Sequence, residues 1–360
     1  MRLGIDVRMY RMAGIGRYLQ NLLPDLIPRL NASRISILGN SNDLADEEWL
    51  RDPRIKLEEF RPRIFSLAEQ WAPILGRYRH IDLLWTPQYN FPLLYKGRLV
   101  VTIHDLCQIA HPETLGSELQ RAYAKFLLLR AGRRAAALMC VSVFTASETQ
   151  KYLHVHRSRI VVAYPPVGHG ISPSTDSSKW SKGSYFLAVG NVKKHKNLPR
   201  LIAAFNSIRD LVPHDLVIVG TREGLRNFET ELDLDPLVCR GRIRFTGYVT
   251  DEELKSCYRN SVALVFPSYY EGFGYPLVEA MAQGCPIVCS NIASLPEVAG
   301  DAAVFFDPFE VEEIANAMLK VASDEATRNT LILRGKQRVH QFLGDSCAQL
   351  TAETINRLLE

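Results

Sequence analysis

A chain of 360 residues, 47% hydrophobic and 23% charged, has the balance of a folded globular protein and is long for one core; two domains are expected and large-scale disorder is excluded. The start, Met-Arg-Leu-Gly-Ile-Asp-Val, meets an acid at its sixth residue, unlike a secretory leader, and no run approaches the roughly eighteen apolar residues of a membrane span, so a cytosolic chain is expected. The net charge of +4 hides an asymmetry: residues 1–170 carry 23 Lys and Arg against 15 Asp and Glu, which suits that half to an anionic partner, though a solvated surface explains much of it.

From the amino terminus, apolar runs at Leu3–Val7, Ile35–Leu38, Leu83–Trp85, Leu99–Ile103, Ala137–Val141 and Ile160–Ala163 alternate with amphipathic helical stretches. Such alternation predicts a parallel sheet covered by helices. The first run leads into Ala13-Gly-Ile-Gly-Arg-Tyr18, where Gly14 and Gly16 form a glycine-rich turn ahead of a helix. A phosphate or a close substrate would fit there, although two glycines in a βα turn more often serve only a tight turn. His104 follows Leu99–Ile103 and so stands at a strand's carboxyl end, where α/β folds bind ligands. His154 and His156, beside Arg157 and Arg159, have no carboxylate at ligand spacing and read as surface. Ser117–Arg134 is helical in pattern and basic around Phe126-Leu-Leu-Leu129, a composition that suits an anionic membrane surface as well as packing on a sheet.

Residues 171–182, rich in Ser and Pro, are the best linker in the chain. Beyond it the architecture repeats at Tyr185–Val189, Leu216–Val219, Ile243–Phe245, Ala263–Phe266, Ile287–Cys289 and Val304–Phe306. Two doubly wound sheets place the expected site in the cleft between them, at the carboxyl ends of their strands. Gly190-Asn-Val-Lys-Lys-His-Lys-Asn197 ends the second half's first strand, and its cations could neutralise a departing diphosphate; Lys196 is the strongest candidate. Asp233-Leu-Asp235 resembles a metal-binding D-x-D, but no apolar strand precedes it, and no metal is assigned. The seven cysteines include no C-x-x-C and read as reduced core thiols. Val311–Val321, Ala326–Phe342 and Ser346–Leu359 have helical spacing.

The most informative stretch is Glu271-Gly-Phe-Gly-Tyr-Pro-Leu-Val-Glu279, between the run Ala263–Phe266 and a short helical segment. Strand, glycine-bearing loop, then proline at a first helical position predict a helix amino terminus open to an anion. Glu271 and Glu279 are eight residues apart and off one helix face, so they should serve different parts of one ligand, such as a sugar and a ribose.

This E-x7-E nonapeptide resembles the signature of retaining nucleotide-sugar glycosyltransferases of family 4. Phe186–Gly190, Phe245–Glu253, Val265–Gly274, Ser294–Gly300, Gly14–Tyr18 and Thr102–Asp105 extend the likeness over most of the chain. The resemblance implies the α/β GT-B fold, two Rossmann-like doubly wound parallel-sheet domains facing across a cleft. Residues 1–170 would be the acceptor-side domain and 183–345 the nucleotide-sugar domain, with the helix near 346–360 returning to the first. It implies that Glu271 contacts the donor hexose, that Gly272, Phe273 and Gly274 bind sugar hydroxyls, and that Leu277 and Val278 offer amides to the diphosphate. Glu279 would hold the ribose, and Tyr248 and Val249 would lie by the base. His104 would approach the sugar and Gly16 the phosphates, with Gly14 and Arg17 in the same loop and Gly190, His195 and Lys196 in the loop facing the donor. The chain departs from the family in one place: His195-Lys196 stands where Arg-Lys is common, so either His195 is charged beside the diphosphate or Lys193 or Lys194 substitutes.

The implied reaction is transfer of a hexose with retention, by front-face displacement, from a nucleotide-diphosphate sugar to a glycan or lipid-linked acceptor in surface polysaccharide or lipopolysaccharide assembly. The resemblance favours GDP-mannose; UDP-glucose, UDP-GlcNAc or dTDP-rhamnose fit the same loops. No cofactor and no nucleic-acid partner is implied; peripheral contact with an anionic membrane is suggested by the composition of Ser117–Arg134 alone, beside plain packing on the sheet. A nicotinamide dehydrogenase or nucleotide-sugar epimerase is disfavoured, because no strand is followed by a full G-x-G-x-x-G and no Tyr-x-x-x-Lys lies on a helix beside one. A non-catalytic nucleotide-sugar-binding scaffold is the alternative of another class.

Overall fold

Short runs of branched and aromatic residues, buried along their whole length in several central strands, form two parallel sheets, as chains with helices on both sheet faces require. The computed structural model describes the chain except residues 13, 73–75, 77, 115–116, 169–182, 192, 221–240 and 344. The expected linker at 171–182, Asp233-Leu-Asp235 and Cys239 lie outside the described residues. Two compact units result: residues 1–168 with 343–360, and residues 169–342.

In the first unit β1 (Arg2–Asp6), β2 (Arg34–Gly39), β3 (Ile55–Glu59), β4 (Leu83–Thr86), β5 (Arg98–Ile103), β6 (Ala137–Cys140) and β7 (Ile160–Val162) lie in the order β3-β2-β1-β4-β5-β6-β7. Leu3 is flanked by Ile35 on one side and Leu83 on the other, so β1 and β4 are neighbours at the point where the winding reverses. Strand β3 was not expected. Its sequence, Ile-Lys-Leu-Glu-Glu, lacks a buried run because it is the sheet's edge, where charge guards open backbone groups. Leu84, Val101, Ile103 and Leu138, on β4 to β6, pack with Leu128 and Ala131 of the Glu118–Arg134 helix, which Ser117 caps. The last helix, Ser346–Leu359, belongs to this unit: Asn356 donates to the Arg29 carbonyl (2.9 Å) and accepts from the Asn31 amide (2.8 Å).

The second unit repeats the plan in six strands, β8 (Tyr185–Val189), β9 (Asp215–Val219), β10 (Ile243–Gly247), β11 (Ala263–Phe266), β12 (Ile287–Ser290) and β13 (Ala303–Phe306), ordered β10-β9-β8-β11-β12-β13. Phe186, Ile218, Val265 and Val288 form its core with Leu201, Ile202 and Phe205 from one helix and Ile314, Met318 and Val321 from another. The winding reverses between β8 and β11, so the loops after these strands flank the crevice in which such sheets bind ligands. Each described cysteine is a buried thiol in no disulfide. His154 and His156 are exposed, as expected.

Candidate functional site

The loop leaving β8 starts at Gly190, whose φ of +144° suits glycine, and runs through a tight turn at Lys194–Lys196 to Asn197. Asn197 adopts a left-handed φ of 57° and is buried, and its side-chain amide donates to the carbonyls of Pro267 (3.2 Å) and Pro308 (2.6 Å). The His195 carbonyl accepts from the Tyr269 amide at 2.9 Å. The β8 loop is thereby stitched to the loops after β11 and β13, which turns a run of cations into a fixed feature.

The stitching brings Lys196 Nζ to 2.5 Å from Glu271 Oε1 and over the Phe266 ring, 5.1 Å from its centroid. Burial alone would raise the Glu271 carboxyl, but the charges of Lys196 and His195 outweigh it and hold the group below the ordinary carboxylate range. His195 therefore lies near enough to act on that carboxylate, while Lys193 and Lys194 are exposed. The backbone that carries Glu271 is held from below by buried Ser294, whose hydroxyl reaches the carbonyls of Glu271 and Phe273, each at 2.9 Å.

Gly272, Phe273 and Gly274 are buried, and Phe273 is wedged edge-on against Tyr275 and Phe342. Gly274 has φ +103°, and a Cβ there would stand 2.9 Å from Leu295 Cδ2, so this position demands glycine twice over. It caps the Tyr275–Ala282 helix, in which Pro276 occupies the first turn. The Leu277 amide already donates to the Gly274 carbonyl (3.0 Å) and is thus engaged in closing that turn; Leu277 and Val278 turn their side chains into the core. One turn further, Glu279 Oε2 accepts from the Tyr258 hydroxyl at 2.8 Å. Tyr258 is buried on the Asp251–Asn260 helix, which Thr250 and Glu253 cap. Ahead of that helix in the chain Gly247, at φ +71°, ends β10; Tyr248 is 86% exposed and Val249 half-buried.

In the first unit His104 directly follows β5. Its Nε2 donates to the Pro87 carbonyl (2.8 Å), and the Tyr18 ring meets it edge-on at 5.0 Å. Burial pushes the imidazole down to about 4, so the ring is neutral at physiological pH. Gly14 is exposed at φ +74°. The close approach that Gly16 permits is to its own chain: a Cβ would lie 2.6 Å from the Tyr10 carbonyl, and its amide donates to Met12. Arg17 is half-buried on the helix that follows.

The second unit therefore gathers a fixed ammonium, a second basic side chain, a carboxylate kept ionised and a helix amino terminus, with another carboxylate one turn along. Such a set can neutralise a leaving phosphate and hold a polyhydroxylated ring. His104, Gly14, Gly16 and Arg17 belong to the first unit. Asn197, Ser294 and Tyr258 were not singled out from the sequence as site residues. Asparagine between a cation cluster and Leu-Pro was a readable signal for the first; Ser294 opens a stretch of the family likeness that says nothing of its role, and Tyr258 announces nothing.

Residues 174–338 match the family described as glycosyl transferases group 1, and residues 12–169 match glycosyltransferase family 4. The O-antigen chain mannosyltransferase B of Escherichia coli is 29% identical, with 96% of each chain covered. O-antigen chain mannosyltransferase RfbU of Salmonella typhimurium is 28% identical over 74% of this chain and 72% of its own. The solved structure of Anabaena HepE in complex with UDP and glucose has a TM-score of 0.75 at 18% identity, with 99% of both chains covered, a likeness of fold.

Proposed function

We infer the reaction from one premise: the chain belongs to the group 1 glycosyltransferases, with residues 174–338 matching that family and residues 12–169 matching glycosyltransferase family 4. We propose that it transfers mannose from GDP-mannose, with retention of configuration, to a glycan or lipid-linked acceptor in O-antigen or related surface polysaccharide synthesis. The relatives named O-antigen mannosyltransferases support the sugar and the pathway class. The observation that carries the chemistry is the Lys196–Glu271 contact at 2.5 Å beside the amino terminus of the 275–282 helix.

In this reading the donor diphosphate draws the Lys196 ammonium toward itself, with His195 as second cation and the helix amino terminus as further support. Lys196 and His195 take the role that a metal fills in other transferases. Glu271 positions the hexose and stabilises positive charge at its anomeric carbon as the bond to phosphate loosens. The acceptor hydroxyl attacks on the face the nucleotide leaves, and the departing phosphate oxygen takes its proton. Glu279, steadied by Tyr258, holds the ribose, and exposed Tyr248 offers the base a ring to lie against. His104 presents a neutral imidazole to a sugar hydroxyl.

No helix among the described residues is long and apolar enough to cross a membrane. We place the enzyme at the inner face of the cell membrane, held peripherally: the 118–134 helix exposes Leu119 and Phe126 beside Lys125, an apolar and basic face suited to anionic lipid. Sedimentation with liposomes should rise with their anionic fraction. For the reaction, a thermal-shift screen should rank GDP above UDP and dTDP, GDP-mannose should release GDP in the presence of chelator, and the new linkage should keep the donor's anomeric configuration. Failure to release a nucleoside diphosphate from any nucleotide sugar would overturn the reading.

A further inference from the structure

The first unit contains a buried charged cluster that the proposed reaction does not use. Arg8, just after β1, is bonded through its guanidinium to Asp6 (2.9 Å at Nε) and to Glu69, all three side chains at most 5% exposed. Glu69 reaches further. Its Oε2 accepts from the Asn90 side chain (2.6 Å) and from the Phe65 amide (3.1 Å), so one carboxylate joins the loop after β1, the segment before its own short helix and the loop after β4. Its neighbour Gln70 holds the same β4 loop at a second point, accepting from the Leu93 amide at 2.8 Å.

That loop, Pro87 to Leu93, is mostly buried, and a buried loop keeps its path only where polar groups hold it. At its near end the Pro87 carbonyl receives His104 Nε2 (2.8 Å). A carbonyl only accepts, so Nε2 must carry the hydrogen, which leaves Nδ1 of a neutral ring as its acceptor. Where the Pro87 carbonyl stands therefore decides which nitrogen of His104 can accept.

We propose that Asn90, clamped by Glu69, is a positioning residue: it holds the 87–93 loop so that the Pro87 carbonyl locks His104 in the Nε2–H tautomer, with Nδ1 free to accept from a hexose hydroxyl. The sugar contact rests on the proposed function; the lock does not. Neither Asn90 nor Glu69 touches the reacting atoms in this scheme. The clamp works through the loop, and the Tyr18 ring packed edge-on against the imidazole keeps the ring plane fixed from the other side.

The test is nitrogen NMR of the full chain labelled at histidine, with the His104 signals assigned by their loss in His104→Gln. Wild type should show His104 as the Nε2–H form alone at neutral pH. Asn90→Ala should bring in Nδ1–H signal and lower kcat about ten-fold or more, with the donor KM changed by less than about two-fold. Gln70→Ala, which loosens the same loop at its other tie, should shift the tautomer in the same direction by less and serves should Asn90→Ala not fold. An Nδ1–H ring in wild type overturns the lock, as does an unchanged tautomer in both variants. A tautomer shift in a chain that turns over no nucleotide sugar supports the lock and overturns the sugar role.

Discussion

Lys196 and Glu271 are 75 positions apart in sequence, and their charged atoms meet at 2.5 Å with each side chain less than a fifth exposed. Either charge alone at that depth would be costly, and Lys196 helps to hold the Glu271 carboxyl below its ordinary range in the site proposed to receive a phosphate. Lys196→Ala should cut kcat by about a thousand-fold while donor affinity changes by less than about ten-fold, the pattern of an interaction strongest in the transition state. With the ammonium gone, burial is opposed mainly by His195, so the Glu271 carboxyl should rise and the acid limb of kcat/KM should move to higher pH. Steady-state kinetics across pH, with calorimetric binding of the product nucleotide, check both; equal losses of turnover and affinity would remove the transition-state role.

Asn197 makes that geometry possible. Asn197→Gly keeps the left-handed backbone but strands the Pro267 and Pro308 carbonyls, and should cost about 2 kcal/mol in urea unfolding. Asn197→Ala should cost about 1 kcal/mol more, because a Cβ without a polar end disfavours φ 57°. Both should slow turnover, since Lys196 is the adjoining residue. If the two variants were equally stable, the backbone conformation would carry no share.

The fold was legible wherever strands are buried on both faces. Leu83–Trp85 and Ala263–Phe266 stand out as apolar runs because helices cover them above and below. Strand β3 was hidden by its own position, as its Lys56 and Glu59 face water at the edge. Glu271, Lys196 and Glu279 could be picked out from loops that follow or precede regular elements, and the helix after Gly274 begins where Pro276 requires. Their supports could not be seen, because Ser294 binds carbonyls more than twenty residues earlier and Glu69 meets Arg8 and Asn90 through folding alone. Partners so distant leave no local pattern.

Glu279 and Tyr258 allow a binding test free of catalysis. Glu279→Gln should weaken a nucleoside diphosphate by about ten- to a hundred-fold, the range for hydrogen bonds to a charged group. Tyr258→Phe removes only the 2.8 Å tether on the carboxylate and should weaken it by about three-fold. A dideoxyribose analogue should bind wild type as poorly as the natural nucleotide binds Glu279→Gln, and that variant should not distinguish the two. Undiminished discrimination in Glu279→Gln would move the ribose elsewhere.

His104 should leave a signature in acid stability. Its ring has an ordinary value of 6.5 and is pushed down to about 4 by burial in the folded chain. Above pH 6.5 both states hold it neutral and its contribution is complete; as pH falls toward 4 the unfolded chain takes up a proton that the folded one refuses, and stability is lost. The loss is at most about 3 kcal/mol, complete where the folded ring also charges. His214, likewise lowered by burial first and then by Arg328 and Arg242, adds a smaller loss of the same sign, whereas Glu271 begins to lose its contribution only below its ordinary 4.5. Urea midpoints of His104→Gln should therefore fall less than wild type between about pH 7 and pH 5, an interval in which carboxylates change little. Parallel falls for the two proteins would mean that the imidazole charges as freely folded as unfolded, and that the site keeps water around it.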